Sequence, residues 1–450
     1  MARSLREQDL THGPLGRQIL LFSLPLVMSN MLQILFHLAD IAVVGRFAGT
    51  LALGAVGSSA LLASMFVGFF LGLGGGINVQ TARAYGSGDR HALQSGVHTS
   101  FLVSLLLGIA IMVLGLGFSR PVLMLLNTKP ELLEGAVLYI HICLMGVPAM
   151  AIFNHGNAVF SAVGDTKTPL RILIASGILN VVLNLVFVLV LHMDVAGVAL
   201  ATILSQYLSA VLVTTALFRT DSDFGLRRNH LRLSKEPAME LLRLGIPGGL
   251  QNCIFAVANL FMQAGLNTFD AVTVAGSTAA ANADTIVYDV MAAFYTACAS
   301  FMGQNYGAGK KERILKSYFI SMLYAFIAGA GLGVLLIFFG RYFLLLFTAD
   351  PAVIETGMQR LVIMGASYGL SVFMDNSIFA CRALGKAVVP SIIVLLGSCV
   401  FRIIWVETVF AYFGTIASLY LLYCFSWTIT GIAEVLYFVK VYRQAARKLT

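Results

Sequence analysis

QILFHLADIAVVG, residues 33–45, sets a carboxylate, Asp40, and a histidine, His37, inside an otherwise apolar run. In water neither would call for comment. In a bilayer an acid near the middle of a helix costs about 2.5–3.5 kcal/mol, and such groups are usually kept for function. Composition decides which setting applies. Of the 450 residues, 58% are hydrophobic and 11% charged, against about 25% charged in soluble domains. One soluble core could not hide that much apolar surface. The apolar residues come in long runs, many near the roughly 20 residues that a spanning helix needs. The expected fold class is an all-α polytopic membrane protein.

Twelve such segments follow one another, near 17–44, 52–82, 92–118, 132–159, 169–191, 195–218, 238–267, 272–303, 314–340, 352–380, 387–410 and 414–439. The opening MARSLREQDLTHGPLGRQ is too long and polar for a signal-peptide start, so the first run is expected to be retained as a helix. Connections alternate in charge. One set holds Arg3, Arg6 and Arg17, then Arg83 and Arg90, Lys167 and Arg171, the basic stretch 219–243, the cluster 310–316, Arg382 and Lys386, and the tail from Lys440. The other holds only Arg46, Arg120, Lys129 and Arg341. Cytoplasmic loops carry the Lys/Arg excess, so both termini are expected in the cytoplasm, in the plasma (bacterial cytoplasmic) membrane. The net charge of +8 is mostly this bias, and nucleic acid is not an expected partner.

The two halves repeat. YGSGDR at 85–90 answers YGAGKK at 306–311, and at the same offset Arg120 answers Arg341, Pro130 answers Pro351 and Glu134 answers Glu355. Nearer the start of each half the offset grows by one, and Pro25 answers Pro247. Six helices return a chain to the side it left, so the copies are parallel, the plan of many secondary transporters with a central cleft. The expected organisation is a six-helix lobe over 1–218, a cytoplasmic connector over 219–243 and a second lobe over 244–450.

Several chemistries are missing. GQNYGAGKK (303–311) has the wrong spacing for a phosphate loop and Lys where Ser or Thr should bind magnesium. GLGGG (72–76) sits inside an apolar segment and reads as close helix packing. The six cysteines lie in apolar segments without CxxC spacing and read as packing residues. No cofactor is expected, no metal beyond a coupling ion, and no enzyme activity.

At about 100° per residue, Asn30, Gln33, His37 and Asp40 fall within an arc of about 80°, a polar stripe that must face protein or water. In the fifth segment Ser176, Asn180 and Asn184 share a face, and in the sixth Thr202 and Gln206 repeat that spacing. Three helices of the first half thus offer side-chain oxygens and one acid, suited to a sodium ion or a titrating proton. The repeat offset puts Met262, Phe401 and Trp405 opposite Asp40 and the asparagines, so this chemistry belongs to the first half alone.

LPLVMSNMLQILFHLADIAVVGRF, the paired YGSGD and GQNYGAG turns, and SAVGDTKTP with ALGKAVVP resemble the multidrug and toxic compound extrusion (MATE) transporters over nearly the whole chain. The first-helix acid and the NVVLN pattern look closest to the DinF-like branch. That resemblance implies a cation site at Asp40, Asn180, Asn184 and Thr202. It also marks a departure: the second helix-5 position is often aspartate in that branch, and here it is Asn184. Asp194, in the short loop HMDVAG, reads as a turn residue.

Further intramembrane acids extend the expected substrate cleft, whose candidates are Asn30, Gln33, His37, Asp284, Asp289, Asp375 and Glu407. Asp284 and Asp289 are about 140° apart on their helix and form no single metal face. Glu434 reads as a structural partner of Lys440, and Arg402 as the partner of an acid or a backbone carbonyl. Acids outnumber the interior cations Arg360 and Arg402, which suits organic cations packed among Phe, Tyr and Met. The expected function is a monomeric secondary exporter, antiporting amphipathic, often cationic compounds against protons or sodium by alternating access. Two alternatives stay open: a flippase for lipid-linked metabolites, which should have a cationic cavity, and an intramembrane enzyme, which should show a DxxxD magnesium motif that this chain lacks.

Overall fold

The computed structural model describes residues 9–126 and 128–449. Arg3 and Arg6, two of the expected cytoplasmic cations, lie outside them. Twelve described helices are long and apolar enough to cross a membrane. They are α1 (Leu15–Phe47), α2 (Gly49–Ser87), α3 (Arg90–Leu125), α4 (Pro130–Ala162), α5 (Lys167–Val190) and α6 (Asp194–Arg219). The second six are α7 (Lys235–Leu266), α8 (Ala271–Gly307), α9 (Lys311–Leu344), α10 (Pro351–Ala383), α11 (Val388–Phe413) and α12 (Ile416–Lys448).

The chain divides into two compact units. Residues 28–249 form one, and 10–27 with 250 onward form the other. The expected consecutive lobes therefore trade segments: the first half of α1 groups with the second unit, and the connector with the first half of α7 groups with the first. Both switches fall just after a proline inside a helix, Pro25 and Pro247, where proline removes a backbone hydrogen bond.

Within the first unit α4 is central, packing on α2, α3 and α6, and within the second α10 packs likewise on α8, α9 and α12. Repeated residues build repeated joints. Arg120 bridges Glu134 at 2.6 Å, and Arg341 bridges Glu355 at 2.9 Å. Gly88 and Gly309 hold the α2–α3 and α8–α9 turns at φ of 72° and 70°, a region open to glycine without steric cost. GLGGG is a packing stripe as read: a Cβ on Gly76 would stand 2.6 Å from Gly245 N, and one on Gly72 would collide with the Gly248 backbone. Asp194 opens α6 with φ of 43°, which makes it a turn residue.

The connector is tied to α3. His98 accepts from the Arg227 backbone N–H at 2.8 Å, and Thr99 donates to the Arg232 carbonyl at 3.3 Å. One expected loop cation is misplaced by sequence: Arg382 is not at the surface but 6% exposed in the last turn of α10.

Candidate functional site

Gly177 is the residue that brings α1 onto α5. A Cβ there would overlap the Phe36 ring, so only glycine admits that ring against the α5 backbone. One turn beyond Phe36 stands Asp40. One and two turns beyond Gly177 stand Asn180 and Asn184, both buried. The close approach therefore delivers the acid to the asparagine face.

The geometry that results is specific. Asn184 donates one amide N–H to Asp40 Oδ1 and approaches Asn180 Oδ1 at 3.3 Å with the same nitrogen. Thr202 on α6 lies 3.4 Å from Asp40 Oδ2 and 3.0 Å from the Val198 carbonyl. Its single hydroxyl hydrogen serves one acceptor at a time, while its lone pairs remain available. Asn184 Oδ1 is buried without a partner. Beside the site α1 passes into a π-helical turn at Val44–Ala48 and α5 into one at Val186–Val190, and the two turns pack together. Such turns often mark functional positions.

All four residues that the resemblance implied are thus brought together. The rest of the stripes are not. Gln33 and His37 stay exposed and Asn30 half-buried. Ser176 turns its one hydroxyl hydrogen to the Ile172 or the Leu173 carbonyl of its own helix, and Gln206 turns toward Gly146 of α4. Sequence reasoning missed Phe36 and Gly177, and also Tyr139 and Cys143 of α4, which lie within electrostatic reach of Asp40. The GILN run held the only hint, a glycine one turn before Asn180.

The matching place in the second unit is apolar, as read from the repeat. Met262, Leu266, Phe410, Leu419 and Leu422 form a buried cluster there with Phe401 and Trp405 around it. Trp405 donates to the Ser418 carbonyl at 2.9 Å.

The other acids of the second unit are scattered. Asp284 is gripped by Arg360, Nε at 3.1 Å and Nη2 at 2.5 Å, and accepts from Tyr368. Asp289 is half-buried, Asp375 is buried, and Glu407 is exposed on α11. Two expected pairings fail. Lys440 does not reach Glu434, which is fully buried with both oxygens unpartnered. Arg402 makes no hydrogen bond to an acid or a carbonyl among the described residues, with Asp375 within electrostatic reach only: its guanidinium lies over the rings of Tyr423 at 4.6 Å and Phe255 at 5.8 Å, with Nε unpartnered. A planar, weakly hydrated cation is well matched to ring faces.

A family model described as MatE matches residues 25–186 and again 247–408. The chain belongs to the MatE family. The two matches begin at Pro25 and Pro247, so the family unit is the repeat itself. This MatE chain is 29% identical over 395 residues to "Probable multidrug resistance protein YpnP" of Bacillus subtilis, covering 86% of this chain and 88% of that one. It is 25% identical to "FAD transporter" of Shewanella oneidensis, over 80% of each. A solved MOP superfamily transporter from Pyrococcus furiosus superposes with a TM-score of 0.92 over 99% of both chains, at 22% identity. That last likeness shows the fold. The MatE chain is an integral membrane transporter built of two repeats.

Proposed function

We propose that this transporter exports amphipathic, often cationic organic compounds in exchange for sodium ions or protons, by alternating access. The observation that carries the coupling is the Asp40 set: one carboxylate with Asn180, Asn184 and Thr202 around it and a buried acceptor, Asn184 Oδ1, without a donor. A buried oxygen left without a donor beside a carboxylate is open to a hard cation, which side-chain oxygens suit. With Asp40 ionised, the set supplies one negative charge and several neutral oxygens to sodium. With Asp40 protonated, the same charge is cancelled by the proton. In either case one cation is the unit of coupling, and its binding favours whichever state holds it more tightly. The names of its relatives support export of several compounds. Both termini are assigned to the cytoplasm on the loop charges.

A second reading has a specific basis. Arg382, expected in a loop, is buried in the second unit and joins the interior cations Arg360 and Arg402, so that interior is less acidic than the sequence implied, and one relative is named for an anionic dinucleotide. An anionic amphipath is therefore the alternative cargo. Purified protein in proteoliposomes, given a pH gradient and a sodium gradient separately, tests the coupling. Competition between matched cationic and anionic compounds tests the cargo. Transport unaffected by either gradient would overturn the proposal, and equal competition by anions would favour the second reading.

A further inference from the structure

Glu434 sits in α12 with no exposed surface, and neither carboxylate oxygen has a hydrogen-bond partner. It lies outside the Asp40 set. An ionised carboxylate taken out of water costs several kcal/mol unless a cation and hydrogen bonds compensate. The groups that act on it come from three helices. Arg382, Asp375 and Cys381 face it from α10, Tyr318 from α9 and Tyr437 from its own helix. Tyr318 is held elsewhere: its hydroxyl lies 2.9 Å from Ser377 Oγ, and its ring stacks on Phe438 at 3.9 Å.

Arg382 is the one cation in this set, and it too is held elsewhere. Its Nη2 donates to Gln251 Oε1 on α7 at 2.8 Å, its guanidinium lies 5.6 Å from the Phe379 ring centre, and its Nε has no partner. No ion pair forms between Arg382 and Glu434 among the described residues. The side chains therefore offer two self-consistent arrangements. In one, Glu434 is neutral and Arg382 stays on Gln251. In the other, Glu434 is ionised and Arg382 turns to it.

We propose that Glu434 is a proton-binding site in the second unit, with Arg382 exchanging between Gln251 and the carboxylate as the proton leaves and returns. The proton departs to water, the guanidinium keeps its charge, and the site changes by one unit. The site has no counterpart in the first repeat: the repeat offset sets Val213 opposite Glu434 and Ser161 opposite Arg382. It is thus the converse of the Asp40 set, present only in the second repeat. Its place in a transport cycle rests on the ion-coupled reading above, but proton binding itself does not.

Infrared difference spectra of the full-length protein in bilayers, recorded as pH is stepped, read carboxyl protonation directly. The wild type is expected to gain carboxyl C=O intensity as pH falls. Glu434→Gln should remove one component and Asp40→Asn a different one. Gln251→Leu, which takes away the other partner of Arg382, should move the Glu434 component to lower pH, because the freed guanidinium then holds the ionised form. Should Glu434→Gln fail to fold, Glu434→Asp keeps a titrating carboxyl with a displaced band. Spectra unchanged by both Glu434 substitutions would overturn the site, and an unmoved midpoint in Gln251→Leu would overturn the role of Arg382. A spectrum that Asp40→Asn leaves unchanged while Glu434→Gln alters it overturns the coupling proposal and supports this one.

Discussion

Asn184 donates to Asp40 across 144 positions of sequence and keeps its own carbonyl oxygen buried without a donor. The carboxylate is held by neutral groups only: an amide, and a hydroxyl shared with a backbone carbonyl. No cation within the described residues pairs with it, so its charge is left for a ligand to balance.

Asp40→Asn keeps the shape and an acceptor for Asn184 but can neither titrate nor supply charge. Gradient-driven export in proteoliposomes should fall to the uncoupled level. Thermal stability should change by no more than about 1 kcal/mol, the scale of one altered hydrogen bond. A variant that exports at the normal rate and ratio would reduce Asp40 to a structural residue.

Gly177→Ala places a methyl group where the Phe36 ring now lies. Overpacking of this kind costs about 1–3 kcal/mol, and here it also moves α1, and Asp40 with it, away from Asn180 and Asn184. Cation affinity should fall together with stability. Phe36→Leu should cost little by itself yet restore part of the loss in the double variant, a coupling that a double-mutant cycle on melting temperature and sodium affinity will measure. Additive losses would mean that the ring does not position the acid.

Much of this arrangement was legible in the sequence. Long apolar runs can only be spanning helices, and a spacing of four residues puts Asn180 and Asn184 on one face whatever surrounds them. The repeat offset also showed where the second unit would be apolar. Tertiary pairing was not legible. Arg382 falls among the loop cations because the tenth apolar run ends near 380, yet its side chain runs inward to Gln251. Charge and proximity along α12 pair Lys440 with Glu434, while burial leaves that acid unpartnered. Hydropathy locates a helix, but only packing decides what each polar residue on it meets.

Asp284 tests the difference between a structural acid and a cargo contact. It is tied to Arg360 and Tyr368, and Arg360 also donates to Ser277 at 3.0 Å. The pair is partly buried, its side chains 13% and 19% exposed, so removing one partner should cost less than the roughly 3–5 kcal/mol of a fully buried pair. Asp284→Asn should therefore lower yield and melting temperature for every substrate alike. The double variant Asp284→Asn, Arg360→Met removes the stranded cation and should regain much of that stability. Normal stability with a selective loss of cationic substrates would instead place Asp284 in the cargo site.

Asn184→Asp addresses what the single carboxylate can hold. In the wild type, one negative charge balances either a proton on Asp40 or one sodium ion beside it, so the two compete. Sodium binds the ionised form; as pH falls and Asp40 takes up a proton, the apparent dissociation constant should rise, by up to about tenfold per pH unit once the protonated form dominates. Above the titration the affinity should be flat. A second acid at position 184 would stand against Asp40, where Asn184 Nδ2 now donates. The two carboxylates would repel, titrate as a coupled pair and raise the charge offered to the ion. Tighter sodium binding at high pH, a steeper pH dependence and slower turnover are expected, the last because a more strongly held ion leaves more slowly. Sodium affinity measured by calorimetry across pH in both proteins decides the point. A wild-type affinity independent of pH, or no gain in the variant, would remove α5 from the ion site and leave Asn184 as a prop for Asp40.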